Sequence, residues 1–291
     1  MKLTVFKGKS KGGLRVGAFV SDSQIVDLSH LVWDEPLDES AVMRCFDLDT
    51  DFLSNARSEV AAGKIFIDRD SVNLISPVPA PRKIICIGLN YRDHAEESGI
   101  AIPKSPIVFS KFTSCVIGPG EAIIVPEGST ELDYEAELAF VIGRRSRTVA
   151  KADALRHVFG YVNFNDVSAR DFQFADGQWQ RGKSCDTFAP MGEYVATADE
   201  IPDPQDLSIK LHLNGETMQD STTAQMIFGV VELIEFLTRF ITLEPGDVVA
   251  TGTPPGVGFA RKPPVYMKDG DVVEVEIAGL GVLSNPVRAA K

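Results

Sequence analysis

Two glutamates in the segment LDYEAELAFVIG have the spacing of an acidic pair on one strand face. Glu135 and Glu137 are two residues apart, and side chains at that spacing project from the same side of a β-strand. Such pairs also occur on solvated strand edges, but the apolar run LAFVIG that follows here favours a buried strand. Because two buried carboxylates cannot both stay ionised without a nearby cation, the pair predicts a bound metal ion.

A third carboxylate follows a second apolar strand. Asp166 ends the segment GYVNFND, before VSARDFQ turns into a short helix. Three carboxylates without cysteine or histidine form an all-oxygen ligand set, which suits Mg²⁺ or Mn²⁺ better than Zn²⁺. Arg170 and Gln173 follow at helical offsets of four and three residues, so all three side chains can face one cavity. The alternative for Arg170 is a surface ion pair with Asp171.

The segment GLNYRDHAEESG carries a candidate general base. A turn ends the preceding strand, and the helical turn that follows places His94 and Glu97 three residues apart, within hydrogen-bonding reach. A histidine oriented by a carboxylate can remove a proton from water. The flanking Gly88 and Gly99 favour a mobile segment that closes over a substrate. A solvated turn is the alternative.

Another segment, GQWQRGKS, matches the phosphate-binding pattern G-x-x-x-x-G-K-[ST]. That pattern binds nucleotides only where a buried strand leads into the turn and a helix begins there. Upstream, ARDFQFAD is polar, and downstream Pro190 and Gly192 interrupt the positions that such a helix would need. The context therefore predicts no nucleotide site, and Lys183 needs another role.

The overall charge limits the class of partner. With 41 acidic and 29 basic residues, the formal net charge is −12, which argues against nucleic acid or an anionic membrane and favours a small-molecule ligand. The N-terminus lacks the apolar core of a secretory signal peptide, and no stretch approaches the roughly 18 apolar residues of a membrane span. We expect a cytoplasmic protein. The widely spaced cysteines are expected to be buried, reduced thiols: Cys45, Cys86, Cys115 and Cys185.

These residues must be positioned by a sheet-rich chain with two parts. The segment SPVPAPRK has three prolines, so residues 77–82 are predicted to link a small N-terminal α+β domain, residues 1–76, to a catalytic domain, residues 83–291. After the linker, short apolar strands dominate, and only TAQMIFGVVELIEFLTRF has a sustained helical period. The fold class is therefore α+β, dominated by antiparallel sheet.

Seven segments between Lys83 and Val287 agree in order and spacing with one known family: GLNYRDHAEE, PIVFSKFTSCVIGPG, DYEAELAFVIG, NDVSARDFQ, GKSCDTFAPMG, TGTPPGVG and DGDVVEVEIAGLGVLSN. Through them the chain resembles the fumarylacetoacetate hydrolase family. Three further segments, GQWQRGKSCDTFAPMG, NGETMQ and RKPPVYMKDGD, resemble one subgroup of that family. The resemblance implies a multilayered, mixed β-sandwich roll for the catalytic domain and a homodimer. The N-terminal unit resembles the family's accessory domain only loosely.

The resemblance also implies roles for individual residues. They are metal ligands for Mg²⁺ or Mn²⁺ (Glu135, Glu137, Asp166), a catalytic dyad on a lid with a lysine that reaches the substrate (His94, Glu97, Lys183), and substrate-binding residues (Arg170, Gln173, Thr253). Thr253 would contact the substrate carboxylate.

Family substrates are small 2-oxo or 2-enol acids, so the resemblance implies a metal-dependent enzyme for that class. We expect hydrolysis of a C–C bond in an acylpyruvate, with His94 and Glu97 activating water and Lys183 stabilising the oxyanion. Two alternatives share every predicted metal ligand: decarboxylation or tautomerisation of oxaloacetate, and isomerisation of the 2-hydroxyhepta-2,4-diene-1,7-dioate type. A catalytically silent metal- or ligand-binding protein is disfavoured because His94, Glu97 and Lys183 are all present.

Overall fold

The computed structural model describes residues 1–9, 13–32, 37–63, 66–99 and 101–290. Within these ranges the strands are β1 (Lys2–Gly8), β2 (Arg15–Ser21), β3 (Gln24–Asp27), β4 (Phe66–Asp68), β5 (Val72–Ile75), β6 (Ile84–Gly88), β7 (Ile107–Lys111), β8 (Val116–Ile117), β9 (Ile123–Val125), β10 (Leu132–Asp133), β11 (Ala136–Ile142), β12 (Val158–Asn165), β13 (Ser168–Ala169), β14 (Ala189–Pro190), β15 (Val195–Thr197), β16 (Ser208–Leu213), β17 (Glu216–Thr222), β18 (Val248–Ala250), β19 (Val272–Ile277) and β20 (Gly281–Ala289). The α-helices are α1 (Glu39–Arg44), α2 (Phe52–Ala62), α3 (Arg92–Ser98), α4 (Arg170–Phe174), α5 (Gln180–Lys183) and α6 (Val230–Thr238). None of these helices has the length and apolar character needed to cross a membrane. The content confirms the predicted class, α+β and predominantly β.

Two large sheets form the layers of the fold. One has the strand order β4-β3-β2-β1-β15-β12-β11-β18-β6-β7, with β5 also paired to β1, and the other has the order β17-β16-β19-β20-β9. Most neighbours are antiparallel, but β18 pairs with β6, and β20 with β9, in parallel. β11 and β12 lie against β16 and β19, and one apolar cluster joins the two sheets.

β11 and β12 are central strands that position the acidic residues. Every residue in both strands is buried. A strand that is covered on both faces does not alternate apolar and polar residues, which explains the continuous apolar run after Glu137. Ala136 pairs with Asn165, so the start of β11 lies beside the end of β12.

The N-terminal strands extend the larger sheet. β1 pairs with β15 through Lys2↔Ala196 and Leu3↔Val195. Strands β1 to β5 therefore continue a sheet whose other members follow residue 83. The division of the chain at residues 77–82 stays a prediction.

The helix in TAQMIFGVVELIEFLTRF is shorter than its apolar period suggests. α6 begins after Gly229, which is extended (φ −72°, ψ 172°), and its face of Val230, Leu233 and Leu237 is buried. Met226 lies before the helix, where its backbone bridges to Tyr91 at the start of α3. Met226 is buried by contacts with other elements and not by lying on a helix face. The apolar period of the sequence therefore extends beyond the helix itself.

Candidate metal and substrate site

The three predicted metal ligands meet where β11 begins and β12 ends. Glu137 lies on β11, Glu135 immediately precedes it, and Asp166 immediately follows β12. One oxygen of each carboxylate lies within 4.8 Å of one oxygen of each of the others. All three residues are buried: the exposed fraction is 8% for Glu135, 1% for Glu137 and 0% for Asp166. Water therefore screens their charges poorly.

The donor set of this cluster fits a small divalent cation. Three carboxylates provide hard oxygen ligands, which Mg²⁺ and Mn²⁺ both accept. Glu137 receives one backbone hydrogen bond, from Gly252 N to Oε2 (2.8 Å), and no cationic side chain among the described residues pairs with it. A buried carboxylate without a counter-charge is the feature that a bound cation would compensate. The choice between the two ions stays a prediction.

Two buried lysines hold Asp166 from either side. Lys183 Nζ donates to Asp166 Oδ2 (2.8 Å) and to Glu135 Oε2 (2.7 Å). Lys111 Nζ, from β7, donates to Asp166 Oδ1 (2.5 Å) and to the carbonyl oxygen of Val167 (2.9 Å). Sequence reasoning missed Lys111, although it lies in the family-like segment PIVFSKFTSCVIGPG, because no spacing pattern connects it to Asp166.

Arg170 is the third buried cation. It begins α4, and each of its three guanidinium nitrogens donates one hydrogen bond: Nε to Asp133 Oδ2 (2.8 Å), Nη1 to Gln173 Oε1 (2.9 Å) and Nη2 to Glu135 Oε1 (2.5 Å). Asp171 instead accepts a hydrogen bond from the Ser129 hydroxyl (2.9 Å). The buried arrangement therefore replaces the surface pair that was the alternative for Arg170.

The buried charges do not balance. Around the acidic cluster they comprise four carboxylates and three cations: Asp133, Glu135, Glu137 and Asp166 against Lys111, Arg170 and Lys183. With every group ionised, one negative charge is left over. A divalent cation would reverse the sign and leave the site with one positive charge, which favours an anionic ligand.

The two glutamates differ in how their charges are compensated. Burial alone would raise the pKa of Glu135, but the charges of Lys183 and Arg170 outweigh it and lower the pKa to about 2. Burial, together with the carboxylates of Asp166 and Glu135, raises the pKa of Glu137 well above its ordinary value. The uncompensated charge therefore belongs to Glu137.

The His94–Glu97 pair forms on α3. His94 Nδ1 lies 3.1 Å from Glu97 Oε2, and the backbone N–H of Gly256 donates to Glu97 Oε1 (3.0 Å). His94 is buried and lines the same cavity as Glu135 and Glu137, so the solvated turn is not what forms. Since the carboxylate of Glu97 accepts a hydrogen bond from Nδ1–H, Nε2 is the ring nitrogen left to exchange a proton with a ligand. Movement of α3 as a lid stays a prediction.

Thr253 lies on the loop after β18 and lines the cavity. Its hydroxyl oxygen accepts a hydrogen bond from Gln219 Nε2 (2.8 Å), which leaves the hydroxyl proton free for a ligand. Gln219 Oε1 in turn accepts from the backbone N–H of Ala136 (2.9 Å). Gln219 thus connects Thr253 to β11, the strand that carries Glu137.

Two further side chains, which the sequence analysis did not single out, hold the loops around the site. Asp133 accepts from Arg170 and from the backbone N–H groups of Gly258 and Phe259 (2.7 and 3.1 Å). The Asn90 amide donates to the carbonyl oxygen of Thr251 (2.7 Å), which fixes the turn between β6 and α3. The bond from Gly258 to Asp133 spans 125 residues of sequence, and the bond from Asn90 to Thr251 spans 161. Local spacing therefore cannot predict either of them.

A cavity of about 310 Å³ joins these residues. Its floor is polar and consists of His94, Glu135, Glu137, Arg170, Gln173, Lys183 and Thr253. Its rim is apolar, and the aromatic part of that rim consists of Phe109, Phe174, Trp179 and Phe259. This volume is at the lower end of the range for small-molecule sites. The structure brings all the predicted substrate-binding residues to one cavity, while their individual roles stay predictions.

The segment GQWQRGKS has a structure of its own. α5 has four residues and ends at Lys183, and a Cβ atom on Gly182 would lie 2.5 Å from the backbone nitrogen of Gln173. The short helix is thus packed on α4, and the lysine points to the acidic cluster instead of an open phosphate turn.

Comparisons with known proteins place the chain in a family. Residues 83–288 match the family model described as fumarylacetoacetate (FAA) hydrolase C-terminal. A relative named oxaloacetate tautomerase fahd2, mitochondrial, from Xenopus laevis, is 44% identical over 291 residues, which cover 99% of this chain and 90% of the relative. A fumarylacetoacetate hydrolase structure from psychrophilic Exiguobacterium antarcticum has a TM-score of 0.84 and 39% identity, and covers 100% of both chains. A maleylpyruvate hydrolase from Sphingobium sp. SYK-6, in complex with manganese(II) ion and pyruvate, has a TM-score of 0.83 and 31% identity, and again covers 100% of both chains.

The expectation of a cytoplasmic protein is wrong. The Xenopus laevis relative is mitochondrial by name, as are several further relatives. An apolar N-terminal core marks secretion, whereas mitochondrial targeting segments are amphipathic and rich in arginine. The sequence criterion therefore addressed secretion and had no bearing on a mitochondrial location.

The subgroup resemblance is also confirmed. A fumarylacetoacetate hydrolase domain-containing protein 2 homolog from Dictyostelium discoideum is 50% identical over 219 residues, which cover 72% of each chain. The family model spans well over half of this chain, and it includes every predicted site residue. The fold, the site and the relatives agree, and the chain belongs to the fumarylacetoacetate hydrolase family of enzymes.

Proposed function

We propose that this enzyme interconverts the enol and keto forms of oxaloacetate. The Xenopus laevis relative carries that activity in its name and matches 99% of the chain. The observation that carries the proposal is a single cavity in which the His94–Glu97 dyad faces the acidic cluster and Lys183. Tautomerisation takes precedence over acylpyruvate hydrolysis because the two hydrolase-named structures are less similar, at 39% and 31% identity against 44%.

The floor of the cavity supports an anionic 2-oxo acid. Glu135, Glu137 and Asp166 would hold Mg²⁺ or Mn²⁺, which would neutralise the substrate oxygens and stabilise the enolate charge. With that cation the buried charges sum to a positive value, which suits a dianion such as oxaloacetate. Thr253 has a hydroxyl proton free to donate to the substrate carboxylate, since its oxygen already accepts from Gln219.

The reaction moves one proton between oxygen and carbon. In the enol-to-keto direction the O–H bond at C2 breaks, and the electron pair of the double bond takes a proton at C3. His94 would carry that proton through Nε2, with Glu97 stabilising the charged ring. The Lys183 ammonium would stabilise the negative oxygen of the enolate. The reaction consumes no water, so these residues can catalyse it without a hydrolytic step.

The decay of the oxaloacetate enol absorbance, measured with Mg²⁺ or Mn²⁺, tests this function. His94→Ala should lower kcat by about 10²- to 10⁴-fold, the usual worth of a positioned acid or base. His212→Ala is the matched control, because His212 also lies near a glutamate (3.7 Å from Glu276) but does not line the cavity. An enol decay no faster than the metal-only rate would refute the proposal.

Product analysis separates the competing activities. Carbon dioxide release from oxaloacetate would indicate decarboxylation, and pyruvate release from an acylpyruvate would indicate hydrolysis. Isomerisation of a hydroxydienoate would leave the carbon skeleton intact. If one of these exceeded tautomerisation in kcat/KM, that reaction would replace the one proposed.

Assembly and location follow as secondary proposals. We propose a homodimer, supported by four apolar residues between positions 102 and 112 that are exposed: Ile102, Ile107, Val108 and Phe112. Sedimentation as a monomer at micromolar concentration would contradict it.

The mitochondrial relatives support a mitochondrial location, which cell fractionation tests.

A further inference from the structure

The rim of the cavity is more apolar than a four-carbon diacid requires. Phe109 and Trp179 pack edge to face with ring centroids 5.4 Å apart, and Phe174 packs in the same way on Phe259 at 5.9 Å. All four rings line the cavity, and none is fully buried. Aromatic surface left open at the mouth of a cavity is surface that a ligand can cover.

The cations of the cavity are committed to its floor. Arg170 donates from every one of its nitrogens to Asp133, Gln173 and Glu135, as given above. Lys183 bridges two of the predicted metal ligands. Among the described residues that line the cavity, the aromatic rim has no further lysine or arginine. The far end of a substrate would therefore lie beside aromatic rings, with only the cations of the floor to balance a second carboxylate.

The aromatic rim begins directly beside those cations. The guanidinium of Arg170 lies 4.4 Å from the ring centre of Phe259, and Lys183 Nζ lies 5.0 Å from that of Phe109. Gly88 gives the rim its shape, because a Cβ atom there would lie 3.0 Å from the Trp179 ring. A substituent on the carbon next to the reacting carbonyl would pass from the polar floor straight onto aromatic rings.

We propose that the site also tautomerises arylpyruvates, 2-oxo acids in which an aromatic ring takes the place of the distal carboxylate of oxaloacetate. This inference rests on the proposed tautomerase function. The carboxylate and C2 oxygen are common to both substrates and lie at the floor, while the aryl ring packs on the aromatic rim. The chemistry is balanced as before: the enol O–H bond breaks, C3 gains a proton, and no co-reactant is consumed.

Phenylpyruvate enol is the probe, followed by its absorbance with the metal-loaded enzyme, alongside oxaloacetate enol on the same preparation. Trp179→Ala and Phe174→Ala should each raise KM for phenylpyruvate about tenfold, the equivalent of one aromatic contact. KM for oxaloacetate should rise by a smaller factor in both variants, because its distal carboxylate gains no contact of ring on ring. Phe240→Ala is the matched control: Phe174 and Phe240 are both 55% exposed, and Phe240 packs edge to face on Phe236, but it does not line the cavity.

The outcomes separate the two proposals. Turnover of oxaloacetate without acceleration of phenylpyruvate overturns the arylpyruvate inference alone. Acceleration of neither enol overturns the proposed function and this inference with it. Phenylpyruvate turnover that is unchanged in both rim variants, or lowered equally by Phe240→Ala, shows that the aromatic rim does not bind the aryl ring. Retained oxaloacetate turnover in Trp179→Ala or Phe174→Ala reports that the variant is folded.

Discussion

Replacing Glu135 or Glu137 by glutamine should have different effects on the metal-free fold, although the residues are two positions apart. Glu135 accepts from Arg170 Nη2 (2.5 Å) and Lys183 Nζ (2.7 Å). Glu135→Gln therefore leaves two buried cations short of a partner. Breaking a buried ion pair from one side costs about 3–5 kcal/mol, so we expect a loss of that size in the free energy of unfolding.

Glu137→Gln should be neutral or stabilising in the absence of metal. Glu137 has no cationic partner among the described residues, and its hydrogen bond from Gly252 N (2.8 Å) can also be accepted by an amide oxygen. The substitution removes repulsion from Glu135 and Asp166 and adds an N–H donor that faces their oxygens. The gain should be on the order of 1 kcal/mol, the net worth of one hydrogen bond.

Both substitutions should weaken metal binding. Each removes a charged ligand, and even changes to residues that only orient a ligand cost about 10- to 100-fold in metal affinity. We therefore expect Glu137→Gln to combine unchanged or higher stability in chelator with a metal affinity lowered more than about tenfold. That combination is expected only of a carboxylate that binds the cation and lowers the stability of the metal-free protein.

The assays are urea unfolding in chelator, followed by circular dichroism, and calorimetric titration with Mg²⁺ and Mn²⁺. Glu276→Gln is the control, because Glu276 is an exposed strand glutamate outside the cavity and should change neither quantity. A loss of stability in Glu137→Gln equal to that in Glu135→Gln would refute the charge argument. Metal affinity unchanged in Glu137→Gln would remove it from the ligand set.

Four other outcomes follow from the structure. Chelation should abolish enol decay and Mg²⁺ or Mn²⁺ should restore it; full activity in chelator would show that the acidic cluster needs no cation. Lys111→Met should lower the free energy of unfolding in urea by about 3–5 kcal/mol, because it leaves Asp166 with one of its two lysine partners. Lys83→Met should lower it less, because the Lys83 amine is partly exposed. Equal losses would contradict this. Calorimetry with ATP should show no binding, and binding that requires Lys183 would restore the nucleotide interpretation. Partial burial would raise the pKa of Asp199, but hydrogen bonds from Thr197 and Arg57 lower it to about 2. Its contribution to stability is present above its ordinary pKa and is lost as the pH falls through 2. Asp199→Asn should therefore lower stability by less than about 1 kcal/mol at pH 7 and by progressively less as the pH is lowered, as urea unfolding at a series of pH values would show.

The residues that could be predicted from sequence act through local spacing. Glu135 and Glu137 are predicted to project to one side because side chains alternate along an extended chain, and His94 reaches Glu97 because helical residues three apart are neighbours. In both cases the backbone period alone places the groups together, and the structure confirms the proximity. The predominantly β class could be predicted for the same reason, since short apolar runs leave little room for long helices.

The residues that could not be predicted act through distant partners. Lys111 meets Asp166 across 55 residues, and Gln219 reaches Thr253 across 34. A lone lysine in an apolar strand and a glutamine among polar residues look ordinary until the sheets are assembled. The pairing of β1 with β15 is of the same kind, because register between remote strands leaves no mark in local composition.

The site depends on several elements at once, since each predicted ligand is held by its own combination of elements. Glu135 is held from α4 and α5, Glu137 from the loop after β18, and Asp166 from β7 and α5. A floor oriented in this way is rigid, because moving one ligand means repacking elements that also hold the others. The rim is different, since its rings are part-exposed and pack in pairs. Relatives with the same fold carry tautomerase, isomerase and hydrolase names. We therefore expect substitutions at the rim to change which 2-oxo acid is turned over, whereas substitutions at the floor abolish turnover of all of them.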